Sequence, residues 1–335
     1  MKKCMLVFAC TALFVFGIQD SVRSGEKVYR VEVLQITDLL LYTMAYEGFV
    51  KGLEQEGLVR GKNLVVKRTV IPFDIRKPSL LNRLRGVWRI RQEASRIAGE
   101  KPDLVLTIGA PVTKYAKSRI IGAGIPLVFT AVADPKDVDS RSRTRAGPGF
   151  TGTSSNMDMD EVFDVIQRFF PKLRRLGIVY TVDDFARMGE VVKGAQAGGL
   201  TVLARQVGIG DPIGPALEEL KKEGAEAFAV PPDPYYTVFK GRAIEDLIAF
   251  SKANRTPIIS LVIADIPGAV LSVGVDLEYV GALSGYQASR ILKEGVRAES
   301  LPILRQEELT VRVDEDLMEE LGLKPPPAFR TGAAR

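Results

Sequence analysis

Hydroxyls, carboxylates and phenols that follow apolar runs are the residues of this chain with chemistry to offer. The clearest group is Gly109-Ala110-Pro111-Val112-Thr113, directly after the strand-like run Leu104-Val105-Leu106-Thr107-Ile108. Pro111 suits the first turn of a helix, where its fixed φ fits and its missing N–H is not needed. Free N–H groups of that helix, with the Thr113 hydroxyl among them, would face a carboxylate or other small anion. The plainer reading makes Thr113 a helix cap. A second group, Pro232-Asp233-Pro234-Tyr235, follows Ala227–Val230 and offers a carboxylate to a cation. Asp233 before a proline is equally a good N-cap. Thr37-Asp38, Tyr42, Ala133-Asp134 and Tyr180 complete the candidates, each at or near the end of an apolar run. Against them, Asp134-Pro135 suits a turn, and Tyr42, Tyr180 and Tyr235 suit packing. Asp276, with Glu278 behind it, reads as a cap.

What is missing narrows the chemistry further. The chain has no histidine, and both cysteines, Cys4 and Cys10, lie near the start. The usual general base, the usual zinc ligand, thiolate chemistry and every Ser-His triad are thereby removed. No P-loop, paired-carboxylate motif or G-x-S-x-G elbow is present. Gly208-Ile209-Gly210-Asp211-Pro212 has the wrong glycine spacing for a dinucleotide loop and reads as a helix start. The formal charge of +5 is mild, and no basic tract with interleaved aromatics suggests nucleic acid. The arginines between 83 and 96 read as a solvated helix face. No cofactor and no metal are expected.

Those residues need elements to hold them. Residues 1–24 read as a cleaved signal peptide: Lys2-Lys3, then an apolar stretch from Cys4 to Ile18 too short to span a bilayer. Cys10 stands too early for a lipoprotein box, so no lipid anchor is expected. From Val31 onward, apolar runs of strand length alternate with helical patterns, for example Tyr42 to Glu56 and Ser79 to Ala98. Ser140 to Gly149 is polar and glycine-rich, the clearest linker, and the rhythm restarts beyond it. Helices are expected at 158–170, 185–197, 212–223, 236–253 and 276–294. The alternation predicts an α/β protein of two doubly wound parallel-sheet lobes. Val105–Thr113 and Phe228–Thr237 share a loose order of strand, turn, proline and threonine, which suggests similar mouths on the two lobes. Ligands of such sheets sit beyond the carboxyl ends of the strands.

Several segments resemble the periplasmic substrate-binding proteins of ABC importers, in the group associated with tryptophan or tyrosine transport. Among them are Tyr46-Glu47-Gly48-Phe49, Lys101-Pro102-Asp103, Ala110-Pro111-Val112-Thr113, Ile125-Pro126-Leu127-Val128-Phe129 with Ala133-Asp134-Pro135, and Leu176-Gly177-Ile178-Val179-Tyr180. The resemblance implies a type I periplasmic-binding fold with a three-segment hinge. It assigns 25–134 with 272–298 to lobe 1, 135–271 with 299–325 to lobe 2, and 326–335 to a flexible tail. It also implies a monomer in the periplasm that closes on a small solute, docks on an ABC permease and performs no catalysis. The basic Arg83–Arg91 segment, the turn Asp233-Pro234-Tyr235 and the apolar Leu261–Gly268 depart from that pattern.

An amino acid or similar zwitterion fits these residues best. Thr113 and its helix would hold the carboxylate, Asp233 the ammonium, and Tyr42, Tyr180 or Tyr235 would stack on the side chain. The rivals are a sensing module for a kinase or chemoreceptor and an exported enzyme working without His or Cys.

Overall fold

Apolar runs buried on both faces form the strands, as parallel sheets require. The computed structural model describes residues 27–74, 79–181, 199–233, 235–236 and 242–323. The first sheet contains β1 (Tyr29–Ile36), β2 (Leu64–Ile71), β3 (Leu104–Ile108), β4 (Leu127–Val132), β5 (Phe150–Ser154) and, late in the chain, β11 (Leu304–Arg305). The second contains β6 (Arg175–Tyr180), β7 (Thr201–Gln206), β8 (Ala227–Val230), β9 (Ile258–Ser260), β10 (Ala269–Gly274) and β12 (Thr310–Val313). Strand order is β11-β5-β4-β3-β1-β2 in one and β12-β10-β9-β8-β6-β7 in the other. Pairing is parallel except between β10 and β12. Both sheets therefore follow one order, and each reverses direction of growth between its first and third strands.

Helices cover both faces of both sheets. In the first lobe, α1 (Leu40–Gln55) and α7 (Leu277–Glu294) pack one face around Val33, Phe49, Leu53, Leu104 and Leu106. On the other face α2 (Leu80–Glu100) and α3 (Ala110–Gly122) bury Ile90, Ile97, Ala116 and Ile120 against Leu34 and Val105. The second lobe sets α4 (Met159–Phe169) and α8 (Glu315–Glu320) on one face, and α5 (Gly214–Lys222) and α6 (Arg242–Asn254) on the other.

The α1–α7 contact is unusually close. A Cβ on Gly48 would stand 1.9 Å from the Glu278 carbonyl oxygen, and one on Gly285 would stand 2.4 Å from that of Phe49. Gly52 and Gly281 meet the opposite backbone in the same way. Only residues without a side chain let two helices approach so near.

The chain crosses between sheets three times, at 155–158, 275–276 and 306–309. The expected lobe boundaries shift accordingly. The first crossing follows Ser154 and not Asp134, because β5 joins the first sheet beside β4. Ser140–Gly149 is thus a turn within lobe 1, held by Arg141 N–H to the Ala146 carbonyl and Ile303 N–H to that of Thr144. Residues 272–274 belong to β10 of the second sheet, and β11 keeps 304–305 in the first. The expected helix 185–197, the leader 1–24 and the tail 326–335 lie outside the described residues.

Candidate ligand-binding cleft

Each sheet has a topological switch point, the crevice where α/β sheets collect ligands. In the first lobe it lies between β1 and β3, and in the second between β6 and β8. The two are finished differently.

At the first, α1 and α3 both start without a capping side chain and without an acidic residue in the first turn. Their N-caps are Leu39 and Gly109. Orphan N–H groups at two neighbouring helix starts make an anion-attracting corner. Tyr42 joins them, since a Cβ on Gly109 would stand only 2.5 Å from its hydroxyl. Gly109 has φ 89°, so both the left-handed backbone and the tyrosine require glycine there. Burial pushes the Tyr42 pKa up, which keeps the phenol a neutral O–H donor. Thr37 and Ala131 have φ 54° at the tips of β1 and β4, so three neighbouring strands end on left-handed residues.

Other expected residues fall around this corner. Ala110 is half-buried and Pro111 exposed in the first turn of α3. Thr37 uses its hydroxyl on the Phe73 carbonyl, at 2.8 Å. Asp38 accepts from Thr43 at 3.0 Å and from Arg68 at 3.2 Å. Arg68 also donates to Gln35 at 2.9 Å and lies 4.4 Å over the Tyr46 ring. Sequence reasoning missed Arg68, whose only signal is a cation in strand β2. Ala133, past the tip of β4, offers its carbonyl to Ser154 at 3.0 Å.

Two of the lobe 1 expectations need correction. Thr113 does not face the cleft. It is fully buried, its hydroxyl donates to the Gly109 carbonyl at 2.9 Å, and it shares a 2.9 Å hydrogen bond with Thr107. A threonine one turn into a helix finds the preceding turn's carbonyl more readily than the solvent beyond the helix end. Asp134 is held in a turn, accepting from Lys136 N–H at 2.9 Å and pairing with Arg143 at 3.3 Å.

At the second switch point the corner is occupied by the chain itself. Asp233 is 2% exposed. Its carboxylate accepts from Thr181 N–H at 2.7 Å, from the Thr181 hydroxyl at 2.9 Å and from Tyr235 N–H at 2.9 Å. It caps the turn after β8 and ties that turn to the tip of β6, so its oxygens are turned away from an ammonium group. Tyr235 is buried, donates to the Asp211 carbonyl, and has its pKa raised first by burial. Tyr180 is half-buried against the second lobe's core, and Pro232 is exposed beside Asp233.

The lobes touch across the gap. Leu41 and Met44, in the first two turns of α1, pack against the second lobe's apolar cluster, which includes Tyr235, Val262, Ala264 and Ile266. Apolar residues in the first turns of α1, the helix that carries Tyr42, thus meet an apolar wall on lobe 2. Among the described residues no cluster of His, Cys, Asp or Glu has metal-binding geometry, and no helix is long and apolar enough to cross a membrane.

Known proteins share this fold. The tyrosine-binding protein of Clostridioides difficile (strain R20291) is 22% identical over 305 residues, covering 90% of this chain and 83% of its own length. A Streptococcus pneumoniae ABC domain in complex with L-Trp superposes with a TM-score of 0.71 at 18% identity, over 92% of this chain and 99% of that one. The ligand-free, open structure of a substrate-binding protein with adhesive properties from Clostridium difficile gives 0.68 at 21% identity, over 90% and 97%. Two lobes of like topology, three crossings and a cleft between switch points belong to the type I periplasmic-binding fold. The profile of the ABC transporter substrate binding protein family matches residues 30–333, which take in both sheets and every crossing, and the chain belongs to that family.

Proposed function

We propose that this chain captures an amino acid with an aromatic or apolar side chain between its lobes and delivers it to a membrane permease. It acts as a monomer outside the cytoplasmic membrane after loss of residues 1–24, without nucleic acid and without turning its ligand over. The observation that carries this reading is the pair of uncapped helix starts at the β1/β3 switch point, joined by the Tyr42 hydroxyl. There the ligand carboxylate accepts from backbone N–H groups and from a phenol that burial keeps protonated. The apolar loop Val262–Ile266 opposite suits a hydrophobic side chain. The tyrosine and tryptophan named for the relatives favour the same class.

Titration calorimetry with L-tyrosine, L-tryptophan, L-leucine and L-aspartate tests this. Binding of the first two with rejection of L-aspartate is expected. A hydrogen bond to a charged group contributes about 1.5–3 kcal/mol, so Tyr42→Phe should weaken binding by roughly tenfold or more. Heat only with L-aspartate, or unchanged affinity in Y42F, would remove this corner as the carboxylate site.

A further inference from the structure

Helix α2 has two apolar faces. Gly86, Ile90, Ala94 and Ile97 are buried against the first lobe. On the opposite side Leu81 and Leu84 are each 58% exposed and Trp88 is 63% exposed, with Leu80 at 74% on the first turn. The spacing i, i+3, i+7 aligns Leu81, Leu84 and Trp88 in one stripe. Single exposed leucines are ordinary, but a contiguous stripe with a tryptophan marks an interaction surface.

The charge around the stripe has one sign. From Ser79 to Gln92 there is no Asp or Glu, while Arg83, Arg85, Arg89 and Arg91 stand among the apolar residues. Among the described residues neither Arg83 nor Arg85 has an ion-pair partner. A groove of about 610 Å³ between α2 and α3 continues the surface, lined by Arg91, Tyr115, Ser118 and Arg119. Leu84, Arg91 and Ala98 are spaced i, i+7, i+14, so the stripe runs directly into that groove. α3 adds no acidic residue.

We propose that this face of α2 and α3 docks the protein on an anionic phospholipid surface. Leu81, Leu84 and Trp88 enter the headgroup boundary, and Arg85, Arg91 and Arg119 meet lipid phosphates. Tryptophan and leucine beside unpaired arginines is the composition of interfacial helices. Tryptophan and arginine also anchor protein contacts, but cations unrelieved by any acidic residue from Ser79 to Gln92 match a uniformly anionic surface. The proposal is independent of which solute the cleft takes.

Trp88 is the only tryptophan in the chain, so its emission reports this face alone. The leader holds no tryptophan and is common to parent and variants. With phosphatidylglycerol vesicles the full chain should show a blue-shifted emission. Apparent affinity should be at least about tenfold weaker for phosphatidylcholine vesicles, and should fall as salt rises. Inorganic phosphate alone should leave the emission unchanged. Leu81→Asp with Leu84→Asp should abolish the shift while the thermal midpoint stays at the parent value. Arg85→Glu with Arg119→Glu, which leaves the stripe intact, should weaken vesicle binding by about tenfold. The proposal is overturned by an emission unmoved by anionic vesicles, by an equal, salt-insensitive shift on neutral ones, or by a shift that needs membranes carrying protein. The last outcome would make the partner a protein.

Discussion

Asp233 and Tyr42 stand at equivalent corners of the two lobes and resolve them in opposite ways. In the second lobe a carboxylate of the chain accepts the N–H groups of Thr181 and Tyr235, whereas in the first lobe no side chain caps the starts of α1 and α3. Removing the Thr181 hydroxyl should expose how much the buried Asp233 depends on it. Thr181→Val leaves the backbone donor but strips the 2.9 Å hydroxyl contact, and an underpaired buried carboxylate costs about 1–3 kcal/mol. Urea unfolding should show that loss, and a parent-like midpoint would mean Asp233 is satisfied without Thr181. The sequence offered Asp233 as a cap or as a ligand contact; the structure makes it a cap, and its tie to Thr181, 52 residues away, was not legible. Thr113 misled for a related reason. Its position one turn into α3 was legible, whereas the direction of its hydroxyl depends on Thr107 from the strand beneath.

Helices and strands were read unevenly, and the physics explains which. α1 and α7 stood out through their apolar period and their glycine or aspartate ends. β5, Phe150–Ser154, did not, since a short segment of threonines, serine and a glycine has no apolar run to announce it. It is buried by neighbours on both sides, and local composition carries no trace of that. Missing it moved the first crossing twenty residues too early, from Ser154 to Asp134. Ser79, Asp158, Asp276 and Asp314 close the starts of α2, α4, α7 and α8, whereas α1, α3 and α5 start without a capping side chain, the first two of them at the β1/β3 switch point. The glycine contact between α1 and α7 holds α1 in place there. Gly285→Val would drive a branched side chain into the Phe49 carbonyl and should cost about 1–3 kcal/mol as overpacking. A thermal melt would register it as a lower midpoint, and an unchanged melt would show that the helices can separate freely.

At the scale of the whole molecule, the lobes, their parallel sheets and the three-segment hinge were all legible in the alternation of elements and the family resemblance. How the lobes meet was not, because Leu41 and Met44 look like ordinary helix residues until the second lobe is set against them. That contact favours the closed arrangement, and ligand adds to it by binding both walls. Leu41→Asp would set a carboxylate against an apolar wall and should shift the unliganded chain towards an open form. Small-angle scattering should then give a larger radius of gyration, with ligand affinity reduced by about tenfold or more. An unaltered scattering profile would show that this contact does not govern closure. Gln306 couples two of the crossings, accepting from Asp276 N–H at 2.8 Å and donating to the Glu308 carbonyl at 2.6 Å.

The late strands carry a consequence for how the protein is made. β11 and β12 supply the outer strand of each sheet only at residues 304–305 and 310–313. α7, which α1 needs as its partner, also comes late, at Leu277–Glu294. A polypeptide threaded through a membrane from its amino end would therefore emerge with neither half complete until most of it had passed. It would stay pliable enough for transit, and both halves would lock within the final stretch to appear.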